Sequence, residues 1–206
     1  MQKCAVVVCG ISLAIFSGCP RTVEGPSNSV AVRAPRAFRT PHVFSRSETR
    51  SYTSVASFGG SIYAGTAQGV LAFRADTGEV KSITHMEGIP REDGLGLKRV
   101  PLGPVHMVTG SVKMGLWLAT EKRLIRYKDN KWDLFEYHPL LSLPVTTMLT
   151  EGDQIWVGSS RNLAIYNGWW HGFLRGSRVN FLLEERVLGG VWVGTDKAGL
   201  FRYENG

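Results

Sequence analysis

A chain of 206 residues with 43% apolar side chains has room for one ordinary domain and a tail. Its 24 glycines and the lack of long helix-forming runs point to many tight turns and away from a helical bundle. The formal charge of +7 is unevenly placed: Lys3 lies at the N-terminus, residues 20–50 hold six arginines against Glu24 and Glu48 (6 − 2 = +4), and residues 51–206 keep only 7 − 1 − 4 = +2, so no nucleic-acid-binding face is expected on the domain.

Residues 1–18 read as a secretory leader. Lys3 supplies a basic start, Ala5 to Phe16 an apolar stretch, and Ser17-Gly18-Cys19 a small-residue end. The apolar stretch is too short to cross about 30 Å of hydrocarbon as a helix. Phe16-Ser17-Gly18-Cys19 resembles the bacterial lipobox, with Phe16 in place of the usual Leu and Pro20 an unusual follower. The resemblance implies that Cys19 becomes the lipidated first residue of the mature protein and its link to the membrane. An ordinary cleavage leaving a free Cys19 is the alternative. Several acyl chains on one Cys anchor firmly, because each buried CH₂ contributes about 0.8 kcal/mol. Cys4 and Cys9 lie in the leader, so no intramolecular disulfide and no Cys-based zinc site is expected after processing.

Residues 19–41 contain Pro20, Pro26, Pro35 and Pro41 among Ser, Thr and Arg, without helical or strand periodicity. They read as a tether, whose arginines either sit against anionic head groups or belong to a solvated spacer.

Residues 42–206 form the expected domain, and from Tyr52 onward short apolar runs alternate with Gly, Asn, Asp or Lys turns. The pattern predicts strands over 53–58, 61–66, 70–74 and 80–84, then three more units over 105–137, 145–174 and 179–203. One motif recurs in each: Ile62-Tyr63-Ala64-Gly65-Thr66, Leu116-Trp117-Leu118-Ala119-Thr120, Ile155-Trp156-Val157-Gly158-Ser159 and Val191-Trp192-Val193-Gly194-Thr195. The small residue advances from 65 to 119, 158 and 194, and the first, longer interval is expected to hold a Gly- and Pro-rich loop from Glu87 to Pro104. Repeats of about 40 residues built from four short strands are the mark of a β-propeller blade. The expected fold is therefore all-β: a β-propeller of about four four-stranded antiparallel blades. Trp117, Trp156 and Trp192 are expected to fill the space between blades, with Gly158 and Gly194 allowing close backbone approach.

The repeat resembles the two-component regulator propeller family. Trp192-Val193-Gly194-Thr195 with Gly199-Leu200-Phe201-Arg202-Tyr203 is the best copy, joined by Glu87-Gly88-Ile89-Pro90 and Trp156-Val157-Gly158. Ala119, Ser159 and Tyr63 depart from the pattern. The resemblance spans about residues 52–206 and implies blades without catalytic residues. Four repeats allow two arrangements: a small ring shut by a strand from His42 to Arg46, which is favoured here, or a partial propeller.

Asn167-Gly168-Trp169-Trp170-His171-Gly172 is the candidate contact site. Trp169, Trp170 and His171 between glycines could stack on a sugar ring or anchor a protein partner. Trp132 follows Tyr127 as Trp170 follows Tyr166, so at least one Trp of the pair is expected to serve outer-strand packing. His42, His85, His106, His138 and His171 are dispersed without metal-ligand spacing, so no metal and no cofactor is expected. Glu151, Asp153 and Asp196 read as turn residues. Arg91-Glu92-Asp93 reads as a solvated loop or as the rim of a ring mouth. The expected function is a non-enzymatic, lipid-anchored module of the cell envelope that binds a protein or glycan. The other readings are a propeller-fold envelope hydrolase or lyase, or a remnant of a larger sensor. The enzyme reading needs two acidic groups about 5 to 10 Å apart around a pocket, and the sequence nominates no such pair.

Overall fold

A computed structural model describes residues 51–135, 139–187 and 189–204. The leader, Cys19, the tether, His42 to Arg46 and His138 lie outside the described residues. Within them the chain is all strand and turn. The first sheet is β1 (Val55–Phe58), β2 (Ser61–Thr66), β3 (Gly69–Arg74) and β4 (Val80–Ile83). A hairpin of β5 (His85–Pro90) and β6 (Leu97–Pro101) follows. The second sheet is β7 (Val105–Ser111), β8 (Gly115–Thr120), β9 (Leu124–Lys128) and β10 (Lys131–Phe135). The third is β11 (Val145–Glu151), β12 (Gln154–Ser159), β13 (Leu163–Tyr166) and β14 (Trp170–Phe173). The fourth is β15 (Val179–Glu184), β16 (Val191–Thr195) and β17 (Leu200–Tyr203).

Every sheet is an antiparallel meander in sequence order, so the unit is a blade. Consecutive blades pack through their first strands: β1 on β7, β7 on β11, β11 on β15. Three apolar layers fill the joints. Val70, Val105, Leu116, Leu118 and Ile125 are buried between the first two blades. Trp117, Leu124, Ile155 and Val157 are buried between the second and third, and Trp156, Leu163, Val179 and Val193 between the third and fourth. A twisted four-stranded sheet cannot bury both faces alone, and fanning the sheets lets each cover its neighbour.

The motif explains itself once folded. Its hydroxyl clasps the turn after the second strand of each blade: Thr66 Oγ1 donates to Gly69 O (3.1 Å), Thr120 Oγ1 to Arg123 O (3.2 Å), Ser159 Oγ to Asn162 O (3.1 Å) and Thr195 Oγ1 to Gly199 O (2.7 Å). The same oxygens accept from backbone N–H groups of Gln68, Arg123, Arg161 and Ala198. A Ser or Thr at this position satisfies turn groups that strand pairing leaves open. The small residue has an equally local cause. A Cβ on Gly158 would meet Val179 Cγ1 at 2.7 Å, so Gly lets the third blade approach the fourth.

Three expectations need correction. The stretch from Glu87 to Pro104 is a hairpin rather than a loop, because Met86, Ile89 and Leu102 turn into the first core and pin its strands. Its tip, with Arg91 paired to Asp93, lies beyond strands that run beside the outer strand β10, away from any ring mouth. The favoured closed ring is not what the described residues form. No substantial packing joins β15 back to β1, and Val55 and Leu183 on the two outward faces are exposed. The fan of four blades is a partial propeller. Finally, Trp192 and Gly194 do not sit between blades: both lie on the outward face of the fourth sheet, where the Phe181 ring of the same sheet covers Gly194.

Candidate binding surface

In an antiparallel meander the turns after the first and third strands emerge on one end of the blade. The Asn167–Trp169 turn between β13 and β14 therefore shares a face with the turns at Gly59-Gly60 and Val112-Met114. Tyr166 and Trp170 are cross-strand partners that close this turn. Within it the backbone N–H of Trp169 donates to Asn167 Oδ1 (3.4 Å), and His171 Nε2 lies 3.3 Å from the same oxygen. Gly168 takes φ 112°, which lets the short turn close without side-chain strain.

The two tryptophans have opposite fates. Trp169 is 79% exposed at the apex of the turn. Trp170 is half-buried, packed on Tyr166 (ring centroids 5.0 Å apart) and edge-on to Phe135 (5.7 Å). Phe135 stacks on Trp117 at 5.3 Å, and the Arg126 guanidinium lies over both Trp117 (5.6 Å) and Tyr166 (5.7 Å) while paired to Asp133 at 2.6 Å. Trp132 meets Tyr127 in the same way, at 4.5 Å. The expected packing role thus falls to Trp170, and Trp169 projects from the turn that these packed rings adjoin. His171 is exposed beside Trp170 on β14.

The other histidines are not gathered. His85 is half-buried with its Nδ1 2.9 Å from Thr84 Oγ1, and His106 is exposed on β7. Among the described residues no three His, Cys, Asp or Glu side chains are grouped to hold a metal ion. The same face carries a feature that the sequence did not nominate, a shallow cleft of about 430 Å³ lined by Ser57, Phe58, Ser61, Ile62, Ser111 and Val112. The only sequence signal for it is the Gly59-Gly60 pair, which marks a turn but not a recess.

No family model matches this chain, and no curated protein matches it. Solved structures do. The extracellular domain of a hybrid two-component system from B. thetaiotaomicron superposes with a TM-score of 0.56 at 19% identity, over 82% of this chain and 22% of that one. The WD40 domain of Neurospora crassa Pan2 superposes with a TM-score of 0.51 at 12% identity, over 74% of this chain and 46% of that one. At such identities the likeness is one of fold, and the fold is a β-propeller. The chain spans 22% of the length of the bacterial domain.

Proposed function

We propose that this chain is a lipid-anchored β-propeller module of the bacterial cell envelope that binds a protein or glycan through the turn face carrying Trp169. The observation that carries the reading is an indole 79% exposed at the apex of a turn whose neighbouring rings are packed together. A large apolar side chain held out into water, with its backbone fixed by Asn167, is poised to stack on a sugar ring or fill a partner's pocket. Placement outside the cytoplasm is supported by the leader-like residues 1–18 and by the extracellular placement of the bacterial domain whose fold this chain shares. Cys19 supplies the membrane link in this reading, and catalysis forms no part of it.

The test is capture of envelope glycans and envelope proteins by the full chain in mild detergent, beside its Trp169→Ala and Trp170→Ala variants. The reading expects a specific captured ligand that Trp169→Ala loses without a change in melting temperature. Undiminished capture by Trp169→Ala removes the proposed contact.

A further inference from the structure

A blade has two ends, and charge is not shared evenly between them. The end opposite Trp169 carries the turns after the second strands and the links from blade to blade. Backbone bonds stitch three of these segments into one patch: Gly176 N–H donates to Arg161 O (2.7 Å) and Asp196 N–H to Arg178 O (3.1 Å). The patch presents Arg161, Arg175, Arg178 and Lys197, all exposed, against the single carboxylate of Asp196. The small net charge of residues 51–206 conceals this segregation.

Arginine is treated differently elsewhere on the fan. Arg74, Arg91, Arg99, Arg126, Arg186 and Arg202 each pair with a carboxylate, whereas Arg161, Arg175 and Arg178 have no carboxylate partner among the described residues. Arg178 Nε instead donates to the neutral Asn180 carboxamide (3.1 Å). Guanidinium forks crowded together without acids repel one another, and phosphate oxygens match their planar, two-pronged geometry.

We propose that this face rests on anionic phospholipid head groups, which stands the fan on the membrane and turns Trp169 away from it. Two observations single out a lipid surface among anions. The four cations stand on the tips of joined turns, which suits an extended plane of phosphates better than one enclosed ligand. The first blade also begins at this end: Thr53 N–H donates to Gly65 O just before the turn after β2, so the chain that leads back to Cys19 leaves the fan here. The proposal rests on the reading of Cys19 as the lipid anchor, because an acyl chain there makes contact with the bilayer an intramolecular event. Each basic residue at such a surface then strengthens the contact about fivefold.

The full chain is added from mild detergent to preformed vesicles of phosphatidylcholine, alone or mixed with phosphatidylglycerol. A water-soluble arginine reagent, hydroxyphenylglyoxal, is applied and the modified peptides are weighed. Modification of Arg161, Arg175 and Arg178 is expected to be at least about fivefold slower on the anionic vesicles. Arg186, whose side chain is 86% exposed at the opposite end, should react equally on both. The double variant Arg161→Gln, Arg175→Gln is expected to return Arg178 to its rate on neutral vesicles, while Lys113→Gln is not, and circular dichroism confirms both folds. Retention on neutral vesicles reports the anchor, so failure of that reading shows as release there and failure of this one as equal rates on the two vesicles. Slowing of Arg186 as great as that of the patch would also overturn the proposal. So would slowing by a soluble anionic polysaccharide where anionic vesicles have no effect.

Discussion

The Thr53 hydroxyl and the Val105 carbonyl are 52 positions apart in the chain and 2.6 Å apart in space. The bond crosses from the first blade to the second, next to the backbone pairing of Thr53 with Gly65. Thr53→Val is expected to lower stability by about 1 kcal/mol, because the carbonyl loses its donor while shape is kept. Thr53→Ser is expected to recover most of the loss. Urea unfolding of the three proteins is the measurement, and equal midpoints for Thr53→Val and the parent would show the bond to be idle.

Gly158 leaves no room for a methyl group, with Thr147 Cγ2 at 2.5 Å and Val179 Cγ1 at 2.7 Å from its would-be Cβ. Gly158→Ala is expected to destabilise by about 1–3 kcal/mol through overpacking of the joint. Gly152→Ala serves as a comparison that acts through the turn's backbone conformation alone, since nothing lies within 4 Å of its Cβ position. Denaturant midpoints separate the two effects, and a neutral Gly158→Ala would mean that the third and fourth blades slide apart freely.

Trp169→Ala is expected to change stability by no more than about 0.5 kcal/mol, as for other surface positions. Trp170→Ala is expected to lose about 2 kcal/mol, less than a fully buried Trp, because the ring that packs on Tyr166 and Phe135 is only half-buried. Thermal melts of the two variants check the division of labour. A reversed order would place the packing ring at the wrong position of the pair.

Two buried indoles differ in one hydrogen bond. Trp117 Nε1 donates to Met114 O at 3.1 Å, whereas Trp156 Nε1 is buried with no partner among the described residues. Trp117→Phe removes a bond and strands a carbonyl, while Trp156→Phe removes an unmet donor. The second is expected to be less damaging by about 1 kcal/mol. Chemical denaturation of the pair tests the difference, and equal losses would remove the asymmetry.

Burial raises the pKa of the Tyr203 phenol above its ordinary 10.0. The ring packs on Trp156 at 5.5 Å and Phe173 at 5.6 Å. The unfolded chain ionises first, so this stabilisation is complete below about pH 10 and is lost as pH rises through the folded value. The parent is expected to lose more stability than Tyr203→Phe between neutral pH and pH 11. Matching slopes for the two proteins would contradict it.

The blades were legible because their cause is periodic. Alternating apolar residues, a small residue and a hydroxyl recur in each unit, and the strands fall within a residue or two of their expected ends. The hairpin of β5 and β6 was hidden because Gly88, Pro90, Gly94, Gly96 and Pro101 resemble loop composition, while its anchors Met86, Ile89 and Leu102 act through contacts distant in sequence. The open fan was equally illegible. Leu200 and Leu163 are the same residue type in the same motif, and only the presence or absence of a covering sheet separates them. Which Trp of the 169–170 pair projects depends on strand alternation across a tight turn, and a shift of one residue reverses it.

The hairpin inserted between the first two blades lengthens the chain there without disturbing the pairing on either side. Its apex, from Arg91 to Gly96, stands clear of the apolar anchors. A reporter peptide or fluorescent tag spliced between Asp93 and Gly94 should be carried as passive cargo, giving a handle for following the protein that leaves the blade pairing untouched.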